Sequence, residues 1–178
     1  MRVELKPHPE TPPGPVASIT VDADRVWKHG VKLRYVLHGD LDAIRFSARV
    51  KPEHVDGLWR TTCFEAFIRD PGAAGYNEFN LSPSTAYAIY GFSGYREGMA
   101  PGHCSRAGIT VAMSDGRFEL VGGLDLLRAA HVRADGALLL GLSAVIEETS
   151  GAKSYWALAH PPGKPDFHHA DGFVLELP

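Results

Sequence analysis

Hydrophobic and polar residues alternate along most of this chain with a period of two, the spacing that sends successive side chains to opposite faces of a β-strand. Over 31–37, Val31, Leu33, Tyr35 and Leu37 share one face, with Lys32 and Arg34 on the other. Over 44–50, Ile44, Phe46, Ala48 and Val50 alternate with Arg45, Ser47 and Arg49, which predicts a half-buried antiparallel strand. Residues 61–69 set Phe64, Ala66 and Ile68 against Cys63, Glu65 and Phe67. Residues 76–82 set Phe79 and Leu81 against Tyr76, Glu78 and Asn80. Further strands are predicted over 86–92, 109–113, 117–121, 138–146, 154–160 and 173–177, and the spacing assigns Met113 to the core beside Ile109 and Val111. Turn-forming breaks separate these runs at Asp70-Pro71-Gly72, Ser114-Asp115-Gly116 and Ala134-Asp135-Gly136, the second of which reads as a hairpin. Only 124–130 has a helical pattern, two turns at most.

Some nine or ten short strands without βαβ alternation predict an all-β fold of two packed antiparallel sheets, a β-sandwich, with a closed barrel as the alternative. No repeat or second domain is evident, so residues 1–178 read as one domain. Five prolines within 7–15 rule out a regular ladder or helix there and predict an extended connector. Nineteen glycines and thirteen prolines, about 18% of the 178 residues, exceed the roughly 12% of average usage and fit a chain that turns often.

Composition narrows the functional classes. The chain is 44% hydrophobic and 22% charged with a formal net charge of −3. No basic block is present, which argues against nucleic acid as the partner. No apolar run approaches the ~18–20 residues of a membrane span, and Met1 to Pro7 lack the apolar stretch of a secretory signal, so a cytoplasmic location is expected. The two cysteines, Cys63 and Cys104, stand in no CxxC pattern, which excludes a thiolate zinc site and c-type haem attachment. Cys63 reads as a small buried hydrophobe.

Three segments concentrate polar and aromatic residues: 56–68, 76–83 and 155–171. If the strands at 61–69 and 76–82 are neighbours, Glu65, Glu78 and Asn80 share one sheet face. Carboxylates and an amide beside aromatic rings suit sugar hydroxyls and the apolar C–H faces of a pyranose. A solvated face, on which polar side chains simply meet water, is the plainer reading of the same spacing. Two carboxylates could also serve as a glycosidase pair, although sequence supplies no distance between them. His160, Asp166, His168 and His169 are metal-ligand types, but adjacent strand residues point to opposite faces, and no H-x-H or HExxH spacing occurs. For haem, Met99 is the one plausible thioether ligand. Neither a GxSxG elbow nor a phosphate-binding glycine loop occurs.

Taken together, Leu58-Trp59-Arg60-Thr61-Thr62-Cys63-Phe64-Glu65-Ala66-Phe67, Tyr76-Asn77-Glu78-Phe79-Asn80-Leu81-Ser82-Pro83 and Asp166-Phe167-His168-His169-Ala170-Asp171-Gly172-Phe173 resemble the conserved segments of family 9 carbohydrate-binding modules and bacterial DOMON-like domains. The resemblance runs from about residue 20 to the C-terminus. It implies a β-sandwich of immunoglobulin-like or jelly-roll layout with a ligand pocket on one sheet; relatives bind sugars in one branch and haem b in another. Trp59, Glu65, Glu78, Asn80 and His168 fall on the pattern's tryptophan, glutamate, second polar strand and histidine. Thr62 stands where sugar-binding relatives tend to carry Asp, and Met99 has no evident histidine partner for haem. The expectation is a non-catalytic domain that binds a saccharide or similar polar small molecule without a metal or cofactor. Trp59 or Trp156 would stack on the ring, Glu65, Glu78 and Asn80 would bond hydroxyls, and Arg96 and His168 would stand at the rim.

Overall fold

Where the alternation is carried by aliphatic, β-branched and aromatic residues, the chain forms strands. The computed structural model describes residues 1–102, 107–133 and 136–178, so Cys104 lies outside the described residues. Its strands are β1 (Arg2–Pro7), β2 (Val16–Trp27), β3 (Gly30–Gly39), β4 (Cys63–Arg69), β5 (Tyr76–Leu81), β6 (Tyr87–Phe92), β7 (Ala100–Pro101), β8 (Ala107–Ser114), β9 (Arg117–Asp125), β10 (Leu138–Glu147), β11 (Lys153–Ala157) and β12 (Leu175–Leu177). Every ladder is antiparallel, and the order along the sheet is β7-β6-β5-β4-β10-β11-β1-β2-β3-β9-β8, with β12 added to β10.

Instead of two separate sheets, the pairing runs unbroken through β1. Arg2 to Leu5 pair with β2, whereas Lys6 and Pro7 pair with β11. The sheet curls about this strand until its two halves meet. Phe118 of β9 stacks on Phe64 of β4, centroids 5.4 Å apart, and on Phe46 at 4.7 Å; Tyr35 of β3 leans on Phe64 at 5.2 Å. The approach is close enough that a Cβ on Gly122 would lie 2.6 Å from Leu81 Cδ1. The Tyr35 hydroxyl, fully buried here, donates to the Glu65 carbonyl at 2.7 Å.

The structure departs from the predicted elements in several places. Strands β1, β2 and the two-residue β7 were not predicted, although Ile19, Val21 and Ala23 alternate into the core. The segment 44–50 is extended but not a strand. Ile44 and Phe46 face inward as the period requires, yet its backbone finds scattered partners, with Arg45 N–H on the Glu147 carbonyl and Val50 N–H on that of Ser84. Periodicity reports which way side chains point, and here only the end of β10 comes alongside, with a single antiparallel bridge between Ile44 and Glu148. In place of a helix at 124–130, β9 continues to Asp125 and a single 3₁₀ turn, Leu126–Arg128, follows with its Leu127 amide capped by the Asp125 side chain. Among the described residues there is no α-helix, hence no helix long and apolar enough to cross a membrane. Met113 is exposed because it stands near the tip of the β8–β9 hairpin. The proline-rich stretch connects β1 to β2, but Pro7 closes β1 opposite Trp156.

One feature of the sheet creates the site. Strand β5 is buried along its whole length and β4 along all but Arg69, so their second face is covered too. A smaller cluster, including Phe67, Tyr76, Tyr90, Phe92 and Phe173, occupies that face beneath the chain segments around 58 and 167.

Phe118 bridges the two halves of the main core, so Phe118→Ala is expected to lower the unfolding free energy by about 3–5 kcal/mol. Met113→Ala on the same hairpin is expected to cost under ~0.5 kcal/mol. Urea denaturation followed by tryptophan fluorescence measures both.

Candidate functional site

In an antiparallel sheet, residues directly opposite each other share a face. Glu65 lies opposite Asn80 on one side and Ser143 on the other; Phe67 lies opposite Glu78, which in turn faces Tyr90. The register therefore gathers two carboxyl groups on the outer face of β4 and β5. Loops wall this face. Gly57, at φ 79°, opens a 3₁₀ turn (Leu58–Arg60) that carries Trp59, and the segment is held to β6 by the Tyr90 hydroxyl donating to Asp56 at 2.7 Å. After β6, Arg96 adopts a left-handed conformation (φ 56°), rare for a residue with a Cβ, and its amide donates to the Tyr76 hydroxyl at 3.2 Å. The segment after β11 brings in Pro165, Phe167 and His168. Between them lies a cleft of about 390 Å³.

Of the residues expected at a site, Trp59, Glu65, Glu78, Arg96 and His168 line this one cleft. Asn80 lies beneath it, fully buried, and its Nδ2 donates to Glu78 Oε1 at 2.6 Å. Trp156 does not belong. It points into the main core, where its Nε1 donates to Ser154 Oγ at 3.0 Å, and its neighbour Tyr155 takes the cleft-facing position. Phe67, Phe92, Tyr155 and Phe167 complete the walls and were not singled out beforehand. For Phe67 the signal was available, since it stands two residues from Glu65 and shares its face.

No family model matches the sequence, and no curated protein matches it. Among solved structures, the fold is similar to that of a proposed carbohydrate-binding protein from Bacteroides uniformis, with a TM-score of 0.73 and 14% identity over 99% of this chain and 85% of that one. It is also similar to a family 9 carbohydrate-binding module from Caldicellulosiruptor kristjanssonii, solved with glucose and with cellotriose. There the TM-score is 0.50 and the identity 7%, over 82% of this chain and 69% or 67% of the other. The likeness is one of fold.

Burial dominates the electrostatics of the cleft. Glu65 is 2% exposed; its Oε2 accepts from Ser143 Oγ at 3.3 Å and its Oε1 has no partner. Burial, and then the charge of Glu78, hold its pKa well above the ordinary carboxyl range. Burial likewise lifts Glu78 to about 7, against the opposing pull of Asn80 and Arg96. His168 is driven down to about 4 by burial and by Arg96, so it is neutral at pH 7. Its Nδ1 lies 2.7 Å from the Tyr76 hydroxyl. That hydroxyl already accepts from the Arg96 amide, so its own proton is free to go to Nδ1, leaving the ring proton on Nε2, 3.8 Å from Glu78 Oε2. At the rim, Arg96 Nη2 pairs with Asp166 Oδ1 at 2.7 Å. Burial would raise Asp166, but hydrogen bonds from Tyr95 and Arg96 outweigh it and hold the carboxylate below its usual range.

The histidines go separate ways. His168 joins Tyr76 and Glu78, His169 accepts from the Asp171 amide in its own turn, and His160 packs edge-on to His8 while its Nε2 meets the Lys6 carbonyl. Among the described residues no cluster could hold a metal ion. Met99 and His168 do line the same cleft, but a haem does not fit this pair: Nδ1 is taken by Tyr76 and Nε2 faces a buried carboxyl group.

These shifts fix the sign of a pH dependence. An unfolded Glu releases its proton near pH 4.3, whereas folded Glu78 keeps its proton to about 7. Between those values the folded chain binds more protons, and stability falls with rising pH by about 1.4 kcal/mol per unit for each such group. Glu65 acts in the same sense. His168 opposes them: protonated below ~6.5 when unfolded but neutral down to about 4 when folded, it makes stability rise across that window. His160, lowered by burial, acts with His168, so the two pairs oppose each other below ~6.5 and the melting temperature is expected to fall from there to pH 8, where only the carboxyl groups still lose protons. His168→Asn should extend the fall below pH 6.5, and Glu65→Gln with Glu78→Gln should abolish it. Scanning calorimetry across pH measures each slope.

Proposed function

We propose that this protein is a non-catalytic module that binds a saccharide in the cleft over β4 and β5, and that its curled sheet is a β-sandwich of the family 9 carbohydrate-binding type. The observation that carries the reading is the convergence of Trp59, Glu65, Glu78, Arg96 and His168 on one cleft whose other walls are apolar and mostly aromatic, Phe67, Phe92, Tyr155 and Phe167 beside Met99, Val145 and Pro165. A pyranose presents just these two chemistries, with apolar C–H faces for the rings and hydroxyls for groups fixed at defined positions. The polar groups are held before any ligand arrives. Asn80 sets Glu78, Tyr76 sets His168, and Asp166 sets Arg96. Pre-ordering of this kind lowers the cost of binding. The fold likeness to a module solved with glucose and with cellotriose adds support.

Isothermal titration with glucose, cellotriose and a panel of other saccharides tests the proposal. Saturable binding to at least one of them is expected. Trp59→Ala and Glu78→Ala should each weaken it by about 10–100-fold, the effect of losing a stacking surface or a charged hydrogen bond. Met113→Ala, on the far hairpin, should leave it unchanged. Heats no larger than buffer dilution for every saccharide would overturn the reading.

A further inference from the structure

The floor of the cleft has an electrostatic imbalance that the described residues correct only in part, through the pull of Asn80 and Arg96 on Glu78. Glu65 and Glu78 lie on adjacent strands with their carboxyl groups on one face. Glu65 lines the cleft yet is 98% removed from solvent, and its buried Oε1 has no hydrogen-bond donor. Glu78 Oε2 meets only the distant Nε2 of His168, at 3.8 Å. An orphaned buried acceptor is costly, more so when charged, so a ligand that supplies its partner recovers that cost.

The groups around the two carboxyls do not compensate them. On β4 the neighbour is Cys63, and on β10 Ser143 donates a single hydrogen bond. On β5 Tyr76 is committed to His168, and Asn80 donates one bond to Glu78. His168 is neutral at pH 7. Arg96, the cation among the groups lining the cleft, is paired with Asp166 at the rim. A neutral hydroxyl would donate one hydrogen and leave the two like groups opposed. An ammonium group brings three N–H donors and a positive charge, and Trp59, Phe67 and Phe92, aromatic rings of the kind that attract cations, line the same cleft.

We propose that the cleft selects saccharides bearing a free ammonium group, amino sugars, with the ammonium seated between Glu65 and Glu78. The proposal rests on the saccharide reading above and narrows it to a chemical class. Binding of the cation favours the ionised carboxylates, so protons held by Glu65 and Glu78 in the empty cleft pass to the buffer as the ligand enters.

Three β-1,4-linked trimers of similar size test it at pH 6.5: cellotriose, the glucosamine trimer and its fully N-acetylated form. The glucosamine trimer is expected to bind at least tenfold more tightly than cellotriose. N-acetylation, which removes the charge and keeps the ring, should abolish that advantage, as should Glu65→Gln combined with Glu78→Gln. The apparent enthalpy for the glucosamine trimer should vary with the ionisation enthalpy of the buffer, reporting proton release, while that for cellotriose should not. Equal affinities for all three trimers would overturn this inference and leave the saccharide reading standing. Binding to none of them, or to any wider panel, would overturn both.

Discussion

A strand buried on both faces has no water to solvate whatever polar group it carries, and this constraint on β4 and β5 organises the molecule. One face closes on the main core through Phe64, Phe79 and Leu81. The other holds Glu65, Glu78 and Asn80 under a lid of loops. A buried polar group must find a partner or lose its charge, and both outcomes are seen. Asn80 finds Glu78, Ser143 finds one oxygen of Glu65, and the carboxyl groups hold their protons far above the ordinary range.

The rest of the site follows from satisfying what surrounds those two groups. The left-handed turn at Arg96 is backbone strain offset by the hydrogen bond from its amide to the Tyr76 hydroxyl, and the same hydroxyl orients His168. Asp166 ties the Arg96 side chain to the segment that carries His168, through Arg96 Nη2 and the His168 amide on a single oxygen. Two loops distant in sequence are thereby fixed to each other over a rigid sheet floor. Precise placement on strands, with walls supplied by braced loops, is the arrangement that lets a concave surface hold a small ligand without reorganising.

Much of this was legible in the alternation of residues, and the failures have physical reasons. Period-two spacing located β3 to β6 and β8 to β12 because one side of each faces the main core. It also put Glu65, Glu78 and Asn80 on one face, which the register confirms. It could not tell a solvated face from a covered one. That depends on where the segments 54–60 and 165–173 come to rest, and chain segments without periodicity carry no such information. Trp156 illustrates the limit: its residue type suited a sugar platform, but a one-residue difference in parity sends it into the core and gives the cleft to Tyr155. At 44–50 the pattern was read correctly as side-chain direction and incorrectly as pairing, since a ladder needs a neighbour that only tertiary structure supplies. The continuous sheet was out of reach for a related reason, because β1 divides its six residues between partners on either side of it.

The cost of the two acids bears on why they are there. Burying an ionisable group without a counter-charge costs stability, and the hydrogen bonds that Ser143 and Asn80 give these two acids come from neutral donors. Cys63, Phe67 and Tyr90 show that the same face accepts apolar and aromatic side chains without rearrangement. Glu119, by contrast, lies on the outer surface between Arg34 and Arg117, where its charge is fully answered and its pKa falls. Even the buried Asp70 is met by a cation, accepting from Arg133 Nε at 2.9 Å. Glu65 differs from both: its one donor is the neutral Ser143 hydroxyl, and its second oxygen stays without a partner beneath the cleft that the residue lines.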